Sequence, residues 1–587
     1  MAAGVETAQF DTDVLVIGGG FAGVWAAIRA AESGSRVILV EKAYVSRSGC
    51  STMSGGVTTA PVDSDALDAW VEEFVTRGHY MCDQRWTRKL LEGQRERVRA
   101  LDSWGVPISK DEHGAIRRFA SRGMVAVRCL QFNPKKAMEE LRRQVLARGV
   151  TIIDRVIVTD LLTSDGAYPT KGHIVGAIGF ETRGGRCIVL RAKQTIMATG
   201  PMAMKGSYRV DNDAGDGMAI GYRAGARVVD LEFGFGGTFS YLMKDFNLGG
   251  YNVAVAHGAR LINARGERFM EKYDPVRFER SELARVVAAF GKELMDGRGP
   301  VFIDFRHCDP SYWEDMSTVQ TSEGSLILLS DEIPDPRVNP LPIEPTWGLW
   351  NGGRGGLKID IDCQTSLRGL LAAGVAAKND ATGTHASAGI PTAFAMNTGY
   401  FAGETAAKVA RDMDMPEIPE GLVAELRARM FEPLARNGST TPDDLLDMLA
   451  ATERSVIDSM LLNERKLIAM RNCAEEVLAA TTHAVAADLH DLVKLHEART
   501  LAQCAQLTYA LGIDRTESRE QFYREDYPET DDDAWFCWHG VTRTAEGQVF
   551  DRIPIPLDGP LRPEKSFNGL SPIAAMMRDC YDPAVYG

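Results

Sequence analysis

The fold is decided by residues 13–23, which read DVLVIGGGFAG. The apolar run at 14–17 predicts a buried strand, and glycines spaced as G-x-G-x-x-G follow it directly. In this motif Gly18 permits a tight turn, Gly20 lets the backbone approach a diphosphate, and Gly23 lets the next helix pack closely on the strand. The stretch therefore predicts a strand, a ligand-binding turn and a helix.

The elements that follow complete a dinucleotide-binding unit. A helix is predicted at Val24–Ala31 and a second strand at Arg36–Val40, which ends at Glu41. An acid about twenty residues after the glycines can accept hydrogen bonds from both hydroxyls of a ribose, and it disfavours a 2′-phosphate. The helix N-terminus offers free N–H groups to the phosphates. The pattern predicts a Rossmann-like α/β domain, with a ligand-free glycine turn as the alternative.

Composition and charge limit the class of protein. The chain has 587 residues, 45% hydrophobic and 25% charged, which is ordinary for a multidomain globular protein. Its net charge of −14 disfavours nucleic acid or an anionic membrane surface as a partner. We expect no transmembrane segment and no secretory signal, so the expected location is the cytoplasm. The ten cysteines form no C-x-x-C pair, which predicts reduced thiols and no metal site.

The pattern along the chain predicts several regions. Strands are predicted at Thr151–Val158, His173–Glu181 and Cys187–Leu190, and a further apolar strand from Thr195 stops at the small-residue turn Ala198–Gly200. Helical spacing runs over Asp65–Trp104 and Pro134–Ala147. The basic stretch Arg117–Arg128 is interpreted as facing solvent. The predicted regions are a disordered start at 1–10, the dinucleotide-binding domain at 11–230 and 350–412, an inserted domain at 231–349, a helical bundle at 413–514 and an extended tail at 515–587.

A set of motifs over nearly the whole chain resembles the fumarate reductase and succinate dehydrogenase flavoprotein family. The stretches Arg280–Leu283 and Gly297–Asp304 look closer to the flavoprotein subunit of adenylylsulfate reductase. The motifs that carry the resemblance are Gly18–Gly23, Glu41, Ser54–Gly56, Ala198–Gly200, Gly215–Gly217, Gly266–Phe269 and Glu517–Arg519.

The resemblance implies the architecture and the cofactor. The fold class is α/β: a Rossmann-like FAD-binding domain, an inserted α+β capping domain over the flavin ring and a C-terminal helical domain. FAD is expected to be non-covalent, because Gly49 stands where covalent members have a histidine. The residues implied to hold FAD are Gly18, Gly20, Phe21, Ala22, Gly23, Glu41, Lys42, Ser48, Gly49, Cys50, Ser54, Gly55, Gly56, Ala198, Thr199, Gly200, Asp216, Gly374 and Thr392.

Departures from the family pattern bear on the substrate. Dicarboxylate-oxidising members hold two carboxylates with two histidines and an arginine, where this chain has Gly237, Gly348 and Ser387. The positions of the family's proton relay fall on Asn252 and Val255. Desolvating two carboxylates without charged partners costs several kcal/mol each. We therefore expect a substrate other than succinate or fumarate and a less anionic pocket.

Candidate catalytic and pocket residues follow from the same alignment. Arg280 stands where the family has its proton-donating arginine, although an ion pair is an equal interpretation. His385 is a candidate acid or base, or a residue that bonds the backbone. Arg354 is a candidate anion contact. The remaining candidates for the pocket are Trp347, Trp350 and His257, and both tryptophans fit a core role equally well.

The expected reaction is hydride transfer between a substrate carbon and flavin N5. No second dinucleotide motif is present, so electrons are expected to exchange with a separate iron–sulfur or ferredoxin-like subunit. Two alternatives stay open: sulfur chemistry of the adenylylsulfate reductase type, and a non-catalytic flavin electron-transfer subunit. The oligomeric state is also left open.

Overall fold

The structure is a computed structural model that describes residues 6–204, 213–234, 239–241, 251–319, 334–345, 354–385, 387–451 and 460–582. Its largest element is a seven-stranded sheet in the order β6-β2-β1-β9-β8-β7, with β16 also paired to β9. In residues 6–204 the elements are β1 (Thr7–Ile17), α1 (Phe21–Glu32), β2 (Val37–Glu41), α2 (Cys50–Met53), β3 (Val57–Thr59), α3 (Leu67–Arg77), α4 (Gln84–Ser103), β4 (Arg118–Ala120), β5 (Arg128–Gln131), α5 (Pro134–Ala147), β6 (Thr151–Asp154), β7 (Val156–Thr163), β8 (Ile174–Glu181) and β9 (Cys187–Met197).

The second part of the chain inserts a small antiparallel sheet with its own hydrophobic core, in the strand order β11-β14-β13-β12. Such a layer of strands and helices is the α+β architecture that the sequence predicts. Its described elements and those leading to it are α6 (Asp216–Ala224), β10 (Val228–Val229), β11 (Phe239–Tyr241), α7 (Tyr251–Ala256), β12 (Arg260–Ile262), α8 (Met270–Tyr273), α9 (Leu283–Met295), β13 (Phe302–Asp304), α10 (Pro310–Thr318) and β14 (Leu341–Pro345).

The remaining chain returns to the large sheet and then turns mainly helical. Among the described residues no helix combines the length and the hydropathy needed to cross a lipid bilayer. The elements are β15 (Gly356–Leu357), β16 (Leu370–Ala372), α11 (Ile390–Arg411), α12 (Leu422–Phe431), α13 (Pro442–Ala451), α14 (Glu464–Ala480), α15 (Leu489–Asp514), β17 (Glu529–Asp531), α16 (Asp532–Trp535), β18 (Cys537–Thr544), β19 (Gly547–Pro554), β20 (Asn568–Leu570) and α17 (Pro572–Met577).

Glycines at helix contacts hold the first helix against the sheet and against α11. A Cβ on Gly23 would lie 1.7 Å from the carbonyl oxygen of Gly18. On α11, a Cβ at Gly399 would lie 2.1 Å from the oxygen of Ala22, and one at Gly403 would lie 2.3 Å from the oxygen of Ala26. Only glycine permits these backbone approaches, so α1 is fixed between β1 and α11.

Three predictions about segment boundaries are wrong. Strand β1 begins at Thr7, inside the segment predicted to be disordered at 1–10. Helix α1 begins at Phe21 rather than Val24, because Gly20 already serves as its N-cap. The strands predicted at Cys187–Leu190 and from Thr195 are one strand, β9, which runs to Met197, because Arg191 and Lys193 between them pair with acids on β1.

The C-terminal region is not the extended tail predicted at 515–587. Strands β18 and β19 form a hairpin, and β18 pairs with β10 through Val541 and Gly540. The resulting four-stranded sheet has the order β15-β10-β18-β19. The hairpin therefore completes a sheet begun more than 300 residues earlier, which no local pattern reveals.

A buried ion network joins this C-terminal region to the segment just after β10. The Arg515 side chain is fully buried, and its Nε lies 2.7 Å from Glu232 Oε1 while its Nη1 lies 2.6 Å from Glu517 Oε1. Arg519 pairs with the other oxygen of Glu517 at 2.8 Å. Each buried charge is thus matched by an opposite one, which is the condition under which buried charges are tolerated.

His539 at the edge of this network predicts a pH dependence of stability. Its Nε2 lies 2.9 Å from Asp514 Oδ2 and its Nδ1 3.4 Å from Glu232 Oε1, with Arg515 also nearby. Burial alone would lower the pKa of His539, but the two carboxylates outweigh it and raise the pKa above its ordinary 6.5. This contribution to stability is therefore complete below pH 6.5 and is lost as the pH rises through the folded-state value. We expect the melting temperature to fall over that interval.

The variant His539→Gln tests this pH dependence, because it keeps a polar side chain and removes the titration. Its melting temperature should lack the decline above pH 6.5 that the wild type shows. His490→Gln, on the exposed start of α15, is the control and should keep that decline. An unchanged decline in His539→Gln would rule out this histidine as its source.

Candidate active site

The glycine turn and the ends of β1, β2 and β9 form a cleft at the carboxyl edge of the parallel strands. This edge is where open α/β sheets bind ligands. The predicted residues that line it are Gly18, Gly20, Phe21, Ala22, Glu41, Lys42, Ser48, Gly49, Cys50, Ala198, Thr199, Gly200, Asp216 and Gly374. Further lining residues, which were not named among the predicted cofactor contacts, include Gly19, Ser51, Val156, Ile157, Val158, Asp213 and Ile220.

The other residues predicted to hold the cofactor are not among those that line the cleft. Gly23 acts behind the turn, where it allows α1 to approach β1. The Ser54 hydroxyl donates to the oxygen of Ser51 at 3.1 Å. Gly55 follows it, and the oxygen of Gly56 accepts from Phe132 N at 2.7 Å. Thr392 lies in the first turn of α11.

Glu41 stands at the end of β2, as the motif requires. Its Oε2 accepts a hydrogen bond from Gly19 N at 2.6 Å and its Oε1 accepts one from Ala43 N at 3.0 Å. Burial raises the pKa of this carboxyl, although the two backbone donors oppose the shift. Since a carboxylate has about four acceptor positions, two remain for the hydroxyls of a ribose.

Lys42 and Asp216 belong to a buried ion cluster at one end of the cleft. Lys42 Nζ lies 2.9 Å from Asp216 Oδ2 and 2.8 Å from Glu497 Oε1. Burial lowers the pKa of Lys42, but the two carboxylates dominate and raise it. The lysine therefore stays charged and holds Asp216 at the start of α6, so the aspartate is more than the plain helix cap considered from the sequence.

The cleft fits a flavin dinucleotide. The turn at Gly18 has φ +108°, and a Cβ there would lie 2.3 Å from the oxygen of Ala198, so only glycine brings the backbone this close to the ligand site. The first turn of α1 lines the cleft and supplies N–H groups suited to a diphosphate. Val156 and Val158 of β7 give an apolar wall for a planar ring.

A second group of buried and half-buried polar residues lies where the large sheet's domain, the inserted domain and the C-terminal region meet. We call it the charged pocket, and its members are Arg122, Glu282, Arg354, His385 and Glu520. The side chains of Arg122, His385 and Glu520 are at most 8% exposed. Ligand sites commonly form at such junctions between domains.

Gly123 brings several of these side chains together. A methyl group at Gly123 would lie 3.1 Å from both Glu282 Cγ and His385 Cε1. Glu282 Oε1 pairs with Arg77 at 2.9 Å, and Glu520 Oε1 lies 3.5 Å from His79 Nε2. The charged pocket thus has two carboxyl groups, each next to a basic side chain at its rim.

Burial shifts the ionisation of the pocket. It lowers the pKa of Arg122 and that of Arg354 to about 10, and lowers that of His385 to about 4. Burial, with Glu282 nearby, raises the pKa of Glu520 to about 8. At neutral pH the guanidiniums are charged, His385 is neutral and Glu520 holds its proton, so the pocket presents positive charge.

Strained backbone marks the same region. Glu520, His79, Tyr80 and Phe278 all have φ between 52° and 59°, which non-glycine residues rarely adopt. Such strain costs on the order of 1–3 kcal/mol per residue and clusters at functional sites. The backbone of this region therefore agrees with the interpretation of the charged pocket as a candidate site.

The structure brings together only part of the catalytic set predicted from sequence. His385 and Arg354 belong to the charged pocket. The Arg280 side chain is exposed, and only its backbone oxygen approaches the pocket, accepting from Gly123 N at 2.8 Å. His257 lies between the rings of Phe119 and Tyr312.

Two predicted residues lie outside the described part of the chain, and two members of the charged pocket were not predicted. Trp347 and Trp350 lie outside the described residues. Arg122 contradicts the interpretation that Arg117–Arg128 faces solvent, because it is buried. The signal for Glu520 was its place directly after the family motif Glu517–Arg519.

The parallel strands β2, β1 and β9, the glycine turn and the acid at the end of β2 define a dinucleotide-binding protein. Comparisons with known proteins agree: residues 13–392 match the family model described as FAD binding domain, and residues 464–555 match the one described as fumarate reductase flavoprotein C-term. The chain belongs to the fumarate reductase and succinate dehydrogenase flavoprotein family, and FAD is its cofactor. The predicted fold class and cofactor are confirmed.

Similar proteins include several named activities. The chain is 28% identical to one component of the fumarate reductase (CoM/CoB) of Methanothermobacter marburgensis, over 90% of this chain and 96% of that protein. It is 27% identical to the L-aspartate oxidase of Streptomyces coelicolor, over 89% of this chain and 90% of that protein.

Solved structures show the same fold at lower identity. A variant of Escherichia coli quinol fumarate reductase has a TM-score of 0.82 at 21% identity, covering 94% of this chain and 98% of that one. Adenylylsulfate reductase from Archaeoglobus fulgidus has a TM-score of 0.78 at 21% identity, covering 94% of this chain and 97% of that one. The names differ in substrate, so these likenesses define the fold and not the reaction.

Proposed function

We propose that this flavoprotein oxidises or reduces a small organic acid with one carboxylate, other than succinate or fumarate, and exchanges electrons with a separate iron–sulfur or ferredoxin-type partner. The observation that carries the proposal is the charged pocket, in which the buried Arg122 and the half-buried Arg354 lie near a carboxyl group that is protonated at neutral pH. Such a pocket selects an anion and has a proton to give.

Arg122 and Arg354 are the proposed carboxylate-binding residues. The guanidinium fork matches the two oxygens of a carboxylate, and such charge-assisted hydrogen bonds are stronger than neutral ones. The nearby Glu282 is already paired with Arg77, and Glu520 is neutral, so neither cancels the positive charge. Ser387, where dicarboxylate-oxidising members have an arginine, offers a buried hydroxyl but no charge. This supports a substrate with one carboxylate rather than two.

Glu520 is the proposed proton donor. Its raised pKa of about 8 keeps it protonated at pH 7. His79 lies 3.5 Å away, and its side chain is 46% exposed, so it links the buried carboxyl to solvent. These two residues would take the place of the family's relay, whose positions hold Asn252 and Val255 here. His385 stays neutral and helps to orient the substrate.

FAD, when bound, accepts or donates the hydride, and the chain binds and orients the partners. No histidine is among the described residues that line the cleft, which supports non-covalent binding. Relatives from Mycobacterium tuberculosis and Escherichia coli are named flavoprotein subunits, which supports a separate electron carrier.

The variant Arg122→Met tests the proposal. Removing one charged contact to a bound carboxylate costs about 1.5–3 kcal/mol, so the dissociation constant should rise roughly 10- to 150-fold. The measurement titrates the FAD-loaded, anaerobic protein with a panel of monocarboxylic acids, with succinate and with fumarate, following the flavin absorbance. At least one monocarboxylic acid should perturb or bleach the flavin at lower concentration than the two dicarboxylates.

Arg128→Met is the matched control, because Arg128 lies in the same basic stretch but its side chain donates to backbone oxygens of its neighbours Val125, Ala126 and Val127. It should bind the acid as the wild type does. Equal affinity in Arg122→Met and the wild type would refute the role of the charged pocket. Bleaching by sulfite that depends on added AMP would favour the adenylylsulfate reductase chemistry instead.

A further inference from the structure

A second basic site lies outside both the cleft and the charged pocket. We call it the arginine cavity; its volume is about 330 Å³. The side chains that line it come from segments far apart in sequence, namely Arg223 of α6, Arg429 of α12, Arg499 of α15 and Arg543 of β18, with Asp160, Tyr168 and Glu425. It shares no residue with the lining of the cleft.

The charges in the arginine cavity do not balance. Four arginines face two acids, Asp160 and Glu425. Asp160 Oδ1 lies 3.0 Å from Arg429 Nη2 and 4.0 Å from Arg223 Nε, so it is shared between two guanidiniums. Glu425 is exposed, where water weakens its field. The cavity therefore holds an excess of positive charge.

Arg223 forms the floor of the cavity. It is 8% exposed, and its Nη2 donates to the oxygen of Thr159 at 2.7 Å. Among the described residues its Nε and Nη1 have no hydrogen-bond partner. A buried guanidinium with unused donors is costly unless a ligand accepts from it.

Repulsion between the arginines lowers their pKa values. The nearby Arg223, followed by burial, lowers the pKa of Arg499 to about 10. Burial is the main cause that lowers the pKa of Arg223, and Arg429 adds to it. His496, one turn before Arg499, has its pKa lowered to about 4 by burial and by the same arginines. A bound anion would relieve this repulsion.

We propose that the arginine cavity binds a multiply charged oxyanion, a phosphate or diphosphate group that is either free or part of a metabolite. Guanidinium groups recognise phosphate oxygens through paired N–H donors. The cavity volume of about 330 Å³ leaves room for a phosphate group. Its concave shape and buried floor suit a small ligand.

The test uses the FAD-loaded protein, so that the cleft is already filled. Calorimetric titrations at low salt with inorganic phosphate, pyrophosphate and AMP should show binding with a dissociation constant below about 1 mM, weakened by added salt. Tighter binding of AMP than of inorganic phosphate would point to a phosphorylated metabolite, and the reverse to the free ion. No binding of any of the three would overturn the proposal.

Two variants locate the site. Arg499→Gln and Arg543→Gln should each weaken binding about tenfold or more, as expected for loss of a charged donor. Arg427→Gln, on α12 but bonded to Thr7, is the control and should bind normally. Because Arg543 is on a hairpin strand, its replacement tests the site even if the α15 variant is unstable. Unchanged affinity in both cavity variants would place the anion elsewhere.

Discussion

Gly23→Ala is expected to give a colourless protein that does not retain FAD. The new Cβ would lie 1.7 Å from the oxygen of Gly18, closer than any contact that real Cβ atoms make. Because that oxygen belongs to the glycine turn, relief requires α1 and the turn to separate. The diphosphate would then lose its aligned N–H groups, and we expect a loss of affinity of at least about 100-fold, measured by fluorescence titration with FAD.

Gly184→Ala is the matched control for this loss. Gly184 also lies in the FAD-binding domain, but a Cβ there meets the Glu181 side chain, with its carboxylate at 2.6 Å, and not backbone atoms. That side chain is partly exposed and pairs with Arg186, so it can shift without moving the fold. The control should purify yellow and melt like the wild type. Yellow Gly23→Ala protein with wild-type affinity would refute the account of the turn, provided that circular dichroism shows both variants folded.

Local features of the site could be predicted from sequence because they depend on neighbours along the chain. The glycine spacing, the strand before it and Glu41 after it all act through the backbone of one βαβ unit. The structure places Gly18, Gly20 and Glu41 at the cleft for this reason. Asp213 was missed although it lines the same cleft, because no motif specifies a carboxyl group there.

The charged pocket could not be predicted because it depends on packing between distant segments. Arg122 lies in a basic stretch that looks like a solvated surface, but it is buried and its guanidinium lies over the ring of Tyr251 in the inserted domain. Burial is also what raises the pKa of Glu520, the proposed proton donor. The exposed Arg280, by contrast, shows that a position inherited by alignment need not direct its side chain inward.

The hairpin formed by β18 and β19 could not be predicted for another reason. β19 has a mostly exposed pattern, and β18 completes its sheet with a two-residue strand, β10. Neither feature gives the alternation from which strands are predicted. The helices of the bundle, whose apolar spacing is internal to each helix, did not need partners to be recognised.

Arg515→Met is expected to produce the largest loss of stability. The variant keeps much of the side-chain volume, which lies about 5 Å from the rings of Phe233 and Trp535, but removes the charge between Glu232 and Glu517. Two carboxylates at zero exposure would then face each other without that cation. Breaking a buried pair in this way costs about 3–5 kcal/mol.

Chemical denaturation followed by tryptophan fluorescence measures this effect as a lower midpoint. Arg337→Met, which removes the exposed partner of Asp335, should leave the midpoint unchanged. Adding Glu232→Gln to Arg515→Met should recover part of the lost stability, because it removes the buried carboxylate that Arg515 no longer neutralises. That recovery separates an electrostatic cause from a packing defect, which the second substitution would not repair. Since β18 pairs with β10 beside this network, an intact midpoint in Arg515→Met would mean that the hairpin, and not the ion pairs, joins the C-terminal region to the rest of the protein.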